Sequence, residues 1–126
     1  MQTQLGDRIL EYAARIVKVV GSLPKTLIGR RLGDQLLRSG TSVGANFEEP
    51  QAAESKDDFI HWLQVALKEL RESNYWLRLL AKTGTLPQQR LETLIEESNQ
   101  PVAMLSKAVA KVKGKAKSAT EAAMST

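Results

Sequence analysis

The chain reads as an all-α protein, an antiparallel up-down four-helix bundle, and three observations carry that reading. Apolar residues recur at steps of three and four along four separate stretches, the spacing that places them on one stripe of a helix. Glycine and proline punctuate the gaps, at Gly21 with Pro24 and at Gly84 with Pro87, where helices end and begin. No β signal competes, because no hairpin dipeptide lies between alternating runs and no β-branched cluster stands out. Short connections make consecutive helices antiparallel neighbours.

The first helix is expected over about Leu5 to Val20, with Leu5, Ile9, Tyr12, Ile16, Val19 and Leu23 as its stripe. The second begins near Lys25 and runs toward Ala53, with Leu27, Leu32, Leu36, Val43 and Phe47 as apolar members. Gly29, Gly33, Gly40 and Gly44 interrupt it, each costing about 0.5–1 kcal/mol against alanine in a helix interior. Gly33, Gly40 and Gly44 fall on one side, with Ser39 and Ser42 beside them. They read as room for the bulky stripe of the third helix. Pro50 removes a backbone donor and predicts a kink or break around Phe47 to Pro50.

The third helix starts at Ser55 or Lys56, where Asp57 and Asp58 suit the positive end of the dipole, and stops at Thr83-Gly84. Its stripe is Phe59, Leu63, Ala66, Leu70, Ser73, Leu77 and Leu80. The fourth opens at Pro87 and carries Leu91, Leu94, Ser98, Val102, Leu105, Val109 and Val112, with a bend expected at Pro101. Residues 1–113 form the bundle. From Gly114 the stripe disappears, and residues 114–126 are expected to be a disordered basic tail.

A length of 126 residues suits one domain with a proper core. The apolar fraction of 42% and the charged fraction of 25% are those of an ordinary globular protein. No run approaches a membrane span, and the charged, amphipathic start is not a signal peptide. With no cysteine, disulfides, thiolate zinc sites and cysteine nucleophiles are excluded. A cytoplasmic home fits.

Charge is unevenly spread. Residues 1–47 hold seven Lys/Arg against three Asp/Glu, and residues 48–72 reverse this with three against seven. Residues 73–106 balance at three each, and residues 107–126 hold five lysines against one glutamate. Basic segments contact phosphate or meet a neighbour's acidic segment. Arg30, Arg31 and Arg38 on the second helix, with Lys107, Lys111 and Lys113 on the fourth, are the candidate nucleic-acid contacts. Binding through them is expected to be backbone-directed and salt-sensitive. No RNA-reading module is visible, and the interleaved aromatics of a stacking platform are missing.

Catalysis finds little support. The single histidine, His61, offers only half of a di-metal Glu-x-x-His arrangement, through Asp58. No serine sits in a strained nucleophile turn, and GTSVG lacks the ending of a phosphate loop. The chain is expected to be non-enzymatic, with no metal and no cofactor. Gln35, Ser39, Ser42, Asn46 and Glu49 form a polar stripe, read as a hydrogen-bonded seam in which Glu49 or Asn46 meets the third helix, or else as a ligand or subunit-contact site, with assembly the favoured half. Trp62, Glu69 and Trp76 are separated by heptads. Tyr75 and Trp76 are read as core or interface packing, and Glu69 as the partner of a basic residue such as Arg38.

Three blocks carry a family resemblance: Ser39 to Glu49, Ser55-Lys56 to Phe59-Ile60, and Ala66-Leu67-Lys68-Glu69 through Tyr75-Trp76-Leu77. They resemble the four-helix-bundle family called S23, first noticed in intervening sequences of bacterial 23S ribosomal RNA genes. Pro50 departs from the pattern, which usually has a small residue there. The resemblance implies a bundle assembled as a homopentamer, with no settled activity. It extends distantly to accessory proteins of diversity-generating retroelements, which bind nucleic acid through a basic ring surface. Together these features imply a homo-oligomer with RNA or DNA as partner and no membrane; a protein-interaction scaffold, with the charge asymmetry serving assembly alone, is the alternative.

Overall fold

Four helices build the chain, which the computed structural model describes over residues 2–48 and 55–125. They are α1 (Gln2–Gly21), α2 (Leu27–Glu48), α3 (Lys56–Lys82) and α4 (Gln88–Ser125). No strand occurs among the described residues. Packing is cyclic, α1 on α2, α2 on α3, α3 on α4, and α4 back on α1. Cross-helix pairs fix the antiparallel register. Gly33 lies by Leu23 and Gly44 by Ile9, while Asn74 of α3 bonds Ser98 of α4. The expected break around Phe47 to Pro50, the end of α2 near Ala53 and Glu49 lie outside the described residues, since α2 is described to Glu48.

Local chemistry explains the ends. Thr26 accepts the amide of Gly29 at 3.1 Å through Oγ1, capping α2. Ser55 does the same for Asp58 at 3.1 Å, with Asp57 and Asp58 in the first turn of α3. At the other end of α3, Thr85 N–H reaches Leu80 O at 3.1 Å and Gly84 N–H reaches Ala81 O at 3.2 Å. That pair of bonds is a Schellman closure. It requires a left-handed residue, which Gly84 supplies at φ 70°.

The stripes meet in one core. Ile9, Ile16, Leu36, Leu70, Leu77, Leu80, Leu91 and Leu105 are essentially sealed from solvent, each contributing about 1.5–3 kcal/mol through burial. Ser73, the polar member of the α3 stripe, is buried and bonds the Tyr12 hydroxyl at 2.7 Å. Ser73 Oγ also donates to Leu70 O at 2.8 Å, so Tyr12 is the donor of that pair. Gly33, Gly40 and Gly44 of α2 face α1 and the turn after it, not the third helix. A Cβ on Gly40 would lie 2.8 Å from Ile16 Cγ2, one on Gly33 3.1 Å from Leu23 Cδ1, and one on Gly44 3.5 Å from Ile9 Cγ2. Spacing defines a face, and tertiary packing chose a different neighbour for it.

The fourth helix also differs from expectation. It includes the buried Pro101, as its stripe required, but stays helical to Ser125 where an unstructured tail was expected from Gly114. Alanine and lysine dominate that segment and are strong helix formers, while one glycine costs only about 1 kcal/mol.

Candidate nucleic-acid interface

An up-down bundle places its α1–α2 and α3–α4 connections at one end. Both carry cations there. Lys18 lies in the last turn of α1, Lys25 in the connection, and Arg30 and Arg31 in the first turns of α2. Lys82 closes α3 and Arg90 opens α4. All six are exposed. The Arg30 guanidinium donates to Lys25 O at 3.1 Å, which holds it over the turn. None of the six is in an ion pair among the described residues, and Asp34, Glu92 and Glu96 are nearby exposed carboxylates. Six positive charges from four helices thus share one end of the molecule.

Of the residues singled out from sequence, Arg30 and Arg31 belong to this cluster. Arg38 does not. It is 3.2 Å from Glu69 Oε2 and also pairs with Glu72, while its second nitrogen donates to Gln35 at 3.2 Å. Trp76, half-buried, donates to the same Glu72 at 3.3 Å through Nε1. This network fastens α2 to α3 and engages the Arg38 charge. The Glu69–Arg38 pair itself is as read from sequence.

Lys107, Lys111 and Lys113 are exposed as well, but they point α4 toward the opposite end. Counting from the Asn74–Ser98 bond at 1.5 Å per residue, Lys107 is about 13 Å down the axis and Lys82 about 12 Å up it. There α4 runs beside the half of α3 that carries Asp57 and Asp58. The two halves of the sequence-derived set therefore form two patches, not one.

The polar stripe of α2 satisfies itself. Ser39 donates to Gln35 O at 2.8 Å, Ser42 to Ser39 O at 3.2 Å and Asn46 to Ser42 O at 2.9 Å. Asn46 thus bonds its own helix rather than α3, because short polar side chains reach the preceding turn more easily than a neighbour. Glu49 lies outside the described residues. Tyr75, expected in core or interface, stands 51% exposed.

On the far side of α1 the bundle is open. A cleft of about 500 Å³ runs between α1 and α4, bounded by Arg8, Arg15, Glu97, Gln100 and Pro101, with Tyr12 at its floor. Arg8 bonds Gln100 and Arg15 pairs with Glu97 across it. Burial pushes the Tyr12 hydroxyl up to about 12.

Among the described residues, no group of three His, Cys, Asp or Glu could hold a metal ion. His61 is exposed, its ring edge-on to Trp62 at 5.2 Å. No described helix is long and apolar enough to cross a membrane. Sequence reasoning missed Lys18, Lys25, Lys82 and Arg90, because no spacing links residues on different helices. Their common signal is proximity to the two connections of one end.

Comparison with known proteins agrees with this architecture. The sequence profile of the 23S rRNA-intervening sequence proteins matches residues 3–107. A crystal structure of a protein with unknown function from the S23 ribosomal protein family of Bacteroides thetaiotaomicron VPI-5482 is 37% identical. The match covers 83% of this chain and 97% of that one, with a TM-score of 0.73. Among curated proteins none matches.

Proposed function

We propose, for a chain that belongs to the 23S rRNA-intervening sequence protein family, a non-enzymatic role in the cytoplasm as a homo-oligomer that binds the phosphate backbone of RNA or DNA. The observation that carries it is the cluster of Lys18, Lys25, Arg30, Arg31, Lys82 and Arg90 at one end, with no ion pairs among the described residues. Binding phosphate releases condensed counterions, so cations gathered on one surface add their contributions. In an oligomer the patch repeats with each subunit. The second patch, Lys107, Lys111 and Lys113, has a weaker field because it lies near the acidic turn of α3.

Self-association is supported by a different surface. Leu10 and Val17 on α1 are 71% and 51% exposed, and Leu37 on α2 37% exposed. Leu10 and Val17 lie one heptad apart, and a second copy is the natural cover for such a surface. A closed homopentamer is the assembly we favour, with Leu10, Val17 and Leu37 at the subunit contacts.

A titration with structured RNA and with duplex DNA across a salt series tests the binding. Affinity should fall steeply and log-linearly with salt, with little sequence preference. Absence of binding near 50 mM salt, the low end of the range where such contacts are strong, would sink the proposal. Exposed Leu27 and Ile28 beside Arg30 and Arg31, at 70% and 61%, favour a second reading, an interaction scaffold. Under it, replacing Arg30 and Arg31 changes the mass in solution and no nucleic acid binds.

A further inference from the structure

Along the outer side of α3, Lys68, Arg71, Tyr75, Arg78 and Lys82 follow one another at steps of three and four, and all five are exposed. Residues so spaced are neighbours on one line of a helix. Four cations thus flank a single aromatic ring over about 21 Å of helix. The ring is held in place. Arg78 lies over Tyr75 with its guanidinium carbon 5.8 Å from the centroid, and Arg78 Nε is itself anchored on Asn74 Oδ1 at 2.9 Å. Trp76 meets Tyr75 edge-on at 5.2 Å. Half of the Tyr75 surface nonetheless stays open to solvent, at 51%.

Nearby carboxylates leave the stripe basic. Glu72 on the same helix is occupied by Arg38 and Trp76. On α4, Glu92 and Glu96 share with Arg78 and Lys82 a groove of about 420 Å³. They repel phosphate from that edge and confine an anionic strand to the line of the stripe. Cyclic packing also puts α3 diagonally across from α1, so the stripe lies on the opposite side of the bundle from the Leu10 and Val17 surface.

An exposed, pre-oriented ring within a cation stripe suits unpaired nucleic acid. Every base has a π-face that stacks on such a ring, while a paired base keeps its faces inside the duplex. From this juxtaposition we infer that the outer face of α3 binds single-stranded nucleic acid, one base stacking on Tyr75 while Lys68, Arg71, Arg78 and Lys82 hold phosphates. The inference rests on the proposed nucleic-acid binding and adds to it a site for unpaired segments.

The test is a pair of titrations of the full chain, one with a labelled uridine oligonucleotide and one with a blunt DNA duplex. Tyr75→Ala should weaken oligonucleotide binding about tenfold, the loss of one base–aromatic stack, and leave duplex binding and the mass in solution unchanged. Tyr75→Phe keeps the ring and should bind as the parent does. Lys68→Gln and Lys82→Gln should each lower the salt slope for the single strand by roughly 0.7. Unchanged oligonucleotide affinity in Tyr75→Ala, an equal loss on both ligands, or an altered mass overturns the inference. Duplex binding that survives any of these leaves the broader proposal standing, whereas a parent protein that binds neither ligand removes both.

Discussion

Gly40 and Arg31 stand nine residues apart on the same helix, in surroundings that share almost nothing. At Gly40 one added carbon would lie 2.8 Å from the buried, β-branched Ile16. At Arg30 and Arg31 the side chains project into solvent, one steadied by a backbone carbonyl. The first place is defined by missing volume and the second by charge. The fold and the proposed binding therefore reside in separable residues, and a change at one should leave the other intact.

The largest effect is expected at the seam. Gly40→Val drives a branched side chain against Ile16, which has no free space to turn into, and should destabilise the bundle by about 3 kcal/mol. Urea unfolding would show it as a lower midpoint, while the remaining folded protein keeps its affinity for nucleic acid. A midpoint equal to the parent's would mean that α1 and α2 are not in close contact at Gly40.

Alkaline pH probes the core at another member of the α1 stripe. Tyr12 ionises near 10 in the unfolded chain and near 12 when folded. The unfolded state loses its proton first, so stability is complete below pH 10 and declines as pH rises from 10 through 12. Two pKa units correspond to at most roughly 2.7 kcal/mol. Comparing unfolding of the parent and Tyr12→Phe over this window isolates the tyrosine, since the exposed lysines titrate in both. The variant should show the flatter profile; identical profiles would count against a buried Tyr12 hydroxyl.

Two smaller changes sharpen the contrast within the seam and across the bundle. A Cβ on Gly44 meets Ile9 at an ordinary 3.5 Å, so Gly44→Ala should stabilise by about 0.5–1 kcal/mol through helix propensity. Opposite signs at Gly40 and Gly44, read by thermal melting, would locate the point of closest approach. Arg15→Ala removes a partly exposed pair with Glu97 and should cost less than about 1 kcal/mol, diminishing with added salt.

Much of this was legible in advance, for identifiable reasons. Period alone located the stripes of the four helices, except that Leu27, named with the second, is 70% exposed, and the Ser55 cap and Gly84 stop were visible as residue types. Spacing could not say which neighbour the α2 glycines face, and α1, with Ile9 and Ile16, proved to be the one. The α4 stripe fades after Val112, yet alanine and lysine carry the helix to Ser125. Ser73 was recognised as a stripe member, but its bond to Tyr12, 61 residues away, leaves no trace in either segment. The basic end was only half visible for the same reason: four helices contribute to it, and their meeting is a property of topology.

Charge reversal at the two ends offers the most direct comparison. Arg30→Glu with Arg31→Glu, set against Lys107→Glu with Lys111→Glu, should be titrated with the same RNA at the same salt and melted in parallel. The account predicts that the first pair loses most of the affinity and the second retains most of it, with all melting temperatures close to the parent's. Equal losses from both pairs, or no loss from the first, would contradict the placement of phosphate binding at the end that Arg30 and Arg31 share with Lys18, Lys25, Lys82 and Arg90.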